Sequence, residues 1–365
     1  MSTVPLTSPV VWADPTRAQL FSRWLSSISA GHALDASSVS LASADASFRR
    51  YFRISTDSGG DAGSCIIMDA PPDKEDCRAF VKVAQLMLGG GLHAPRVLAW
   101  DEAAGFMLLS DLGAQTMMEA IAPPLAVDAI AQPSQAHFEL YMQAVDALIS
   151  WQLASKPGVL PAYDDTLLSR ELALFPDWYV AKHRSIVLAP SQQAVLGNAF
   201  DLIKASNLNS LGGAQVFVHR DYMARNLMVC GEGLGILDFQ DAVYGPITYD
   251  IASLMRDAFL TWPEDFCIDI TVRYWQKARQ AGLPVGDDFG EFYRAVEWMG
   301  LQRHLKILGI FARLTLRDGK PKYLADTPRF TAYVRATAAR YRQLGPLMVL
   351  LDSIEGNETR VGYTF

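Results

Sequence analysis

The stretch that decides the reading is His219-Arg220-Asp221-Tyr222-Met223-Ala224-Arg225-Asn226, followed by Leu227-Met228 and, past a Gly-rich turn, by Ile236-Leu237-Asp238-Phe239. An apolar run, AQVFVH (214–219), leads into it, and LMVCGEGLGILDF (227–239) has the form of two strands around a turn. The spacing is that of a phosphoryl-transfer site: one Asp takes the proton of the attacking hydroxyl, an Asn five residues on holds a metal ion, and a second Asp beyond a hairpin chelates Mg²⁺. The transferred group is heavily charged, so metal must neutralise it while a carboxylate aligns the nucleophile. Asp221 is the expected catalytic residue, Asn226 and Asp238 the metal pair, and ATP and Mg²⁺ the cofactors. A lone HxDxxxxN would carry little weight; motif, hairpin and second Asp in this order carry more.

Upstream of this stretch, Asp14-Pro15 reads as an N-cap with proline at N1, and Leu20, Phe21, Trp24, Leu25 and Ile28 recur at helical spacing. YFRIS and CIIMD, separated by TDSGGDAGS, read as a hairpin. Helical spacing returns over 75–88 through Phe80, Val83, Ala84 and Met87, and strand-like runs follow at 95–100 and 105–110. A Pro/Ala-rich stretch (120–136) reads as a loop before a mainly helical remainder. The expected fold is α+β and two-lobed, protein-kinase-like: a small β-rich nucleotide-binding lobe with a leading helix (1–112) and a large helical lobe (113–365) for catalysis and substrate.

The chain has 365 residues, half of them hydrophobic, enough for a large core. With 39 acidic against 32 basic residues its formal charge is −7, which argues against nucleic acid or an anionic membrane as main partner. Four scattered cysteines without a CxxC pair suggest neither a zinc knuckle nor a disulfide framework. No leader pattern or membrane-length apolar run occurs, so a cytoplasmic location is expected. The apolar PLMVLLD (346–352) could dock on the helical lobe or form a dimer contact.

At His219–Asn226 and Asp238 the sequence resembles the aminoglycoside phosphotransferase and choline kinase superfamily. GPITYDIASLMRD (245–257) resembles the family's segment after the metal site, with Asp250 at the acid that buttresses the catalytic loop; a helix N-cap is the plainer reading of that residue. Within the superfamily, DASFRRYFRI (45–54), MDAPPDKED (68–76), HRDYMARNLMV (219–229), LDFQDAVYGPITYDIASLMRDAF (237–259) and QRHLKILGIFARLTLRDGK (302–320) look like the bacterial N-acetylmuramate/N-acetylglucosamine anomeric kinases. That resemblance implies phosphorylation of the C1 hydroxyl of cell-wall amino sugars to the α-1-phosphate, in the recycling of peptidoglycan sugars toward UDP-sugars, with MgATP between the lobes. The alternatives are another small hydroxyl acceptor (an aminoglycoside, choline, homoserine) or a nucleotide-binding pseudokinase.

The match has gaps. Relatives place a Lys on the third strand and a Glu on the following helix to grip the phosphates; here Met68 and Phe80 stand near those places. Arg49, Arg50 and Arg53 are the candidate replacements, with backbone amides near Ala46–Ser47, and Lys74 behind them. Strand alternation puts Arg49, Tyr51 and Arg53 on one side and Arg50 and Phe52 on the other, so the three arginines cannot share one site; an exposed basic face is the plain alternative. Ser110 and Leu112 fall where a hinge would meet adenine. Arg225, Gln240, Asp241 and Arg303 are the expected substrate contacts, with Tyr244 and Arg256 behind them. Arg303, Lys306 and Arg313 share a helix face opposite Leu301, Leu305, Leu308 and Phe311, a pattern that also suits a solvated face; the sharper reading gives one of these cations to the lactyl carboxylate of N-acetylmuramate. His219 and His304 are expected to be structural.

Overall fold

A computed structural model describes residues 10–44, 48–57, 63–122, 130–231 and 233–357. In chain order it contains α1 (Pro15–Ser29), β1 (Ser40–Ala44), β2 (Arg50–Ser55), β3 (Ser64–Asp69), α2 (Arg78–Gly89), β4 (Val97–Asp101), β5 (Phe106–Ser110), α3 (Met117–Ile121), α4 (Gln135–Leu153) and α5 (Asp165–Leu174). A π-helical stretch, Phe175–His183, precedes α6 (Pro190–Asn209), β6 (Gln215–Val218), β7 (Leu227–Cys230), β8 (Gly233–Ile236) and β9 (Val243–Pro246). The chain ends in α7 (Thr248–Met255), α8 (Glu264–Gln280), α9 (Phe289–Leu316), α10 (Thr327–Arg340) and α11 (Gly345–Glu355). Two compact units result, one from residues 1–120 and 225–241, the other from 121–224 and 242–365.

In the first unit, Asp14 caps α1 by accepting from the Thr16 N–H at 2.8 Å, with Pro15 at the first helical position. The sheet is antiparallel in the order β1-β2-β3-β5-β4. Phe52 pairs with Ile67 and Tyr51 with Met68. Alternation therefore turns Phe52, Ile54, Ile67, Phe106 and Leu108 to one face, where Phe21, Trp24 and Leu25 of α1 close a core. Trp24 stacks on Phe106 with ring centroids 5.4 Å apart. Asp69 is fully buried at the edge of this core and held from two sides, by Arg17 at 2.6 Å and by Arg50 Nε at 3.0 Å, which balances the cost of burying its charge.

The β7–β8 hairpin joins this unit by main-chain bonds: Val229 N–H to the Gln115 carbonyl (2.9 Å) and Ile236 N–H to that of His93 (2.8 Å). A single cut after residue 112 cannot represent this, because the hairpin's backbone partners lie more than a hundred residues upstream.

In the second unit α9 is the central element, buried around its whole circumference from Ala295 to Gly309. Gly309 permits this: a Cβ there would lie 2.2 Å from the Leu174 carbonyl oxygen. The PLMVLLD run forms most of α11 and buries Leu347, Leu350 and Leu351 within its own unit, against α6 and α10. β6 pairs with β9, a strand absent from the sequence reading. Of the 120–136 stretch, residues 123–129 lie outside the described part; α4 begins at Gln135, capped by Ser134.

Candidate active site

β6 carries the chain to His219, and two buried carboxylates then fix the loop. Asp250, in the first turn of α7, accepts from the His219 N–H (2.7 Å) and the Arg220 N–H (3.0 Å). Asp257 accepts from the Ala224 N–H (3.1 Å) and the Phe259 N–H (2.7 Å). Burial pushes both carboxyls up, against the opposing pull of these N–H groups and of neighbouring arginines, Arg303 for Asp250 and Arg329 and Arg303 for Asp257. The loop is thus anchored at both ends and presents Asp221 between. His219 is buried; its Nδ1 accepts from the Asp221 N–H at 3.2 Å, and its ring meets Tyr222 edge-on. Arg220 takes a positive φ of 78°, a backbone state that a non-glycine residue holds only under such constraint.

Behind the loop stands a buried charge cluster. Glu171 accepts from Tyr163 OH (2.7 Å), Gln302 Nε2 (3.0 Å) and Lys306 Nζ (2.9 Å), and pairs with Arg220. Burial alone would raise its pKa, but Lys306 and Arg220 hold it down to about 2. Arg303 donates to the Arg220 carbonyl at 2.8 Å and lies over the Tyr249 ring. The face carrying Arg303 and Lys306 is therefore not solvated, and Arg303 is engaged with the loop's main chain rather than exposed to a sugar. The sequence pattern misled because α9 has no outer face over this span. Arg256 is likewise committed, to Glu264 at 2.8 Å and the Tyr293 hydroxyl. Tyr244 lies in β9 opposite Phe217.

In the first unit the hairpin brings Asn226 and Asp238 to the same end: Leu227 pairs with Ile236, and the Leu237 N–H donates to the Asn226 carbonyl at 2.9 Å. An exposed carboxylate and a side-chain amide at one end of a hairpin are hard oxygen donors of the kind that Mg²⁺ takes, so the residue types present fit that ion. Asp238 has φ 62° and accepts from Gln240 Nε2 at 2.8 Å; Asp241 is exposed and Arg225 half-buried. Phe239 turns inward onto Phe80 of α2, centroids 4.8 Å apart.

The three arginines of the β2 region separate as alternation requires. Arg50 lies on the α1 face, held by Asp69 and stacked on Trp12, which removes it from any site shared with the others. Arg53 pairs with Asp111 (2.6 Å) and donates to the Gly113 carbonyl (2.7 Å). Arg49 is buried and pairs with Glu75 at 2.9 Å. Ser110 Oγ accepts from the Arg96 N–H, and the Leu112 carbonyl accepts from the Cys230 thiol at 3.2 Å. Lys74 is exposed beside Asp73. Ala46–Ser47 lie outside the described residues.

The sequence model of the phosphotransferase enzyme family (APH) matches residues 38–289, which include the whole loop, the hairpin and Asp250. The chain belongs to this family. It is 50% identical over 313 residues (86% of this chain, 87% of the other) to a protein of Pseudomonas aeruginosa named N-acetylmuramate/N-acetylglucosamine kinase. Identically named proteins of Neisseria meningitidis and Pseudomonas putida are 45% and 42% identical, over 90% and 96% of this chain and 94% and 97% of theirs. Solved structures similar in fold include an amicoumacin kinase with AMP-PNP and Ca²⁺ (TM-score 0.58, 14% identity, 88% of this chain and 96% of that one) and choline kinase from Cryptosporidium parvum (0.55, 13%, 87% and 94%). This phosphotransferase is a small-molecule kinase with a kinase-like α+β fold. Among the described residues no helix is long and apolar enough to cross a membrane.

Three parts of the kinase's site were missed in the sequence. Asp257 was legible only as an acid seven residues after Asp250: α7 ends at Met255, and Asp257 lies beyond it in the segment leading to Phe259. Glu171 and Glu75 were not: neither is close in sequence to the arginine it holds, and no local spacing marks such a pairing.

Proposed function

We propose that this kinase transfers the γ-phosphoryl group of ATP to the C1 hydroxyl of N-acetylmuramate and N-acetylglucosamine, giving the α-1-phosphate for recycling of peptidoglycan sugars toward UDP-sugars. The observation that carries the sugar assignment is the 50% identity over 313 residues to a kinase named for these two sugars, together with an intact Asp221, Asn226 and Asp238. Asp221 orients the acceptor hydroxyl and takes its proton; Asn226 and Asp238 would hold Mg²⁺, which when bound neutralises phosphate charge. An anomeric hydroxyl is more acidic than an ordinary alcohol, so alignment by Asp221 counts as much as proton removal. Arg225, Gln240 and Asp241 are assigned to the acceptor, and the Ser110–Leu112 main chain to adenine.

The test is a ³¹P NMR assay with MgATP and a panel of N-acetylmuramate, N-acetylglucosamine, glucose, choline and kanamycin, with Asp221→Asn as control. A sugar-1-phosphate resonance that the variant loses by about 10²- to 10⁴-fold in rate supports the proposal. Phosphorylation of another panel member, or at another carbon, overturns it.

A further inference from the structure

Arg53 engages the main chain that follows β5. It lies within β2 opposite Ile66 of β3, and Ile66 in turn pairs with Leu109 of β5. Alternation puts its side chain on the sheet face opposite Phe52 and Ile54. From there it crosses β3 and meets Asp111, just past the end of β5, with Nε 2.6 Å from one carboxylate oxygen and a terminal nitrogen 3.1 Å from the other. The same terminal nitrogen donates to the Gly113 carbonyl at 2.7 Å. Asp111, whose side chain is 2% exposed, also accepts from the Ser64 hydroxyl at 2.7 Å and from the Gly113 N–H at 2.9 Å. Both main-chain polar groups of Gly113, which has φ 102°, are therefore held by this ion pair.

β7 holds the same segment. The Leu112 carbonyl accepts from the Cys230 thiol at 3.2 Å, and the Gln115 carbonyl from the Val229 N–H at 2.9 Å. The β3–β5 ladder ends at Ser110; the Asp111 carbonyl and the Leu112 N–H lie beyond it, and neither has a partner among the described residues. An acceptor and a donor on consecutive residues are thus left bare between fixed neighbours. The pair matches the edge of adenine, where an N6 donor sits beside the N1 acceptor; guanine carries the reverse, an O6 acceptor beside an N1–H.

We infer that Arg53 and Asp111 are positioning residues for base recognition: with Ser64 they set the main chain of 111–113 so that its bare carbonyl and N–H meet adenine and disfavour guanine. This rests on the proposed assignment of the Ser110–Leu112 main chain to adenine. A guanidinium is planar with donors in a fixed fork, so one side chain fixes the Asp111 carboxylate and the Gly113 carbonyl together. A lysine would present a single rotatable point charge and lose that geometry. Arg53 acts on the base and not on the phosphates.

The test compares binding of ATP, adenosine and GTP, by calorimetry on the full chain, in wild type, Arg53→Gln, Arg53→Lys, Asp111→Asn and Ser64→Ala, with thermal melts alongside. Arg53→Gln and Asp111→Asn should weaken adenosine and ATP by the same factor, about 5- to 30-fold, because the loss lies at the base that both share. The preference for ATP over GTP should narrow, and KM should rise for ATP but not for the sugar. Arg53→Lys should recover only part of the loss. Ser64→Ala removes a single donor to Asp111 and should show the same pattern at a smaller factor, which keeps the test open if Asp111→Asn does not fold. Wild-type affinity for adenosine in folded Arg53→Gln and Ser64→Ala makes the ion pair purely structural and overturns the inference. So does a loss of ATP with adenosine bound as in wild type, which would put Arg53 on the phosphates. N6,N6-dimethyl-ATP tests the underlying assignment separately: if the wild-type chain binds it as tightly as ATP, the proposed adenine site fails whatever the variants do.

Discussion

The guanidinium of Arg303 donates to the main-chain carbonyl of Arg220 at 2.8 Å, so a residue in the middle of the longest helix holds the backbone one position before the proposed base. Arg220 has φ 78°, and its N–H is taken by Asp250; Arg303 therefore fixes the peptide on the other side of the same strained residue. The cation also lowers the pull of burial on Asp250 and Asp257. Loop, anchors and α9 act as one unit.

Replacing Arg303 should consequently lower kcat and leave both KM values near those of wild type. The lost bond is a charged donor to a buried carbonyl, which costs about 1.5–3 kcal/mol, and a comparable share in the transition state is a 10- to 100-fold fall in kcat. Arg303→Met keeps the bulk and tests the bond. If the side chain instead contacted N-acetylmuramate, KM for that sugar alone would rise, so steady-state kinetics with both sugars decide between the two roles.

Acid should loosen this assembly in a defined window. The Glu171 carboxyl is held down from its ordinary 4.5 to about 2 in the folded chain by Lys306 and Arg220. A group depressed in this way contributes stability that is complete above about pH 4.5 and is lost as pH falls toward 2. Urea midpoints measured between pH 7 and pH 3 should be level at first and drop below about pH 4.5. In Glu171→Gln the drop across that window should be shallower, on a lower plateau, since Lys306 and Arg220 then remain buried with a neutral partner.

How far the sequence carried the reading depends on the range of each interaction. The β2–β3 hairpin, the β7–β8 hairpin, α1 and the Asp221–Asn226–Asp238 spacing are local patterns, and all of them lie within runs of a few tens of residues. Alternation along FRRYFRI even separated Arg50 from Arg49 and Arg53 before any coordinates. What failed was anything set by a distant partner. The polar residues of QRHLKILG looked like a solvent face because nothing in that run announces that Glu171, 131 residues before Gln302, waits to receive them. The assignment of 225–241 to the first unit escaped for the same reason.

Arg50 gives a control for the nucleotide-side assignments. It differs from Arg49 by one position and hence by one face, and its partner is the fully buried Asp69. Arg50→Gln should destabilise the chain by about 1–3 kcal/mol, because half of a buried carboxylate loses its charged donor while Arg17 still holds the rest. KM for ATP should not move. Thermal denaturation together with ATP-dependent kinetics checks both halves of the expectation; a rise in KM at wild-type stability would put Arg50 on the nucleotide face after all.

Gly309 links the packing of the second unit to its chemistry. It sits less than one turn beyond Lys306 and under two turns beyond Arg303 on α9, where a Cβ would meet the Leu174 carbonyl oxygen at 2.2 Å and its carbon at 2.3 Å. Those are main-chain atoms at the end of α5, so no side-chain rotation relieves the clash; α9 must move away from α5. Such overpacking costs about 1–3 kcal/mol. The displaced helix also carries Lys306 and Arg303, whose bonds to Glu171 and to the Arg220 carbonyl are formed at 2.9 and 2.8 Å and cannot both follow a shift of that size. Gly309→Ala should therefore lose activity beyond its loss of stability: at a temperature where circular dichroism shows it fully folded, kcat should still be reduced several-fold, with the sugar KM values little changed. A folded variant with wild-type kcat would mean that the loop is held by Asp250 and Asp257 alone, and that α9 serves the second unit only as core.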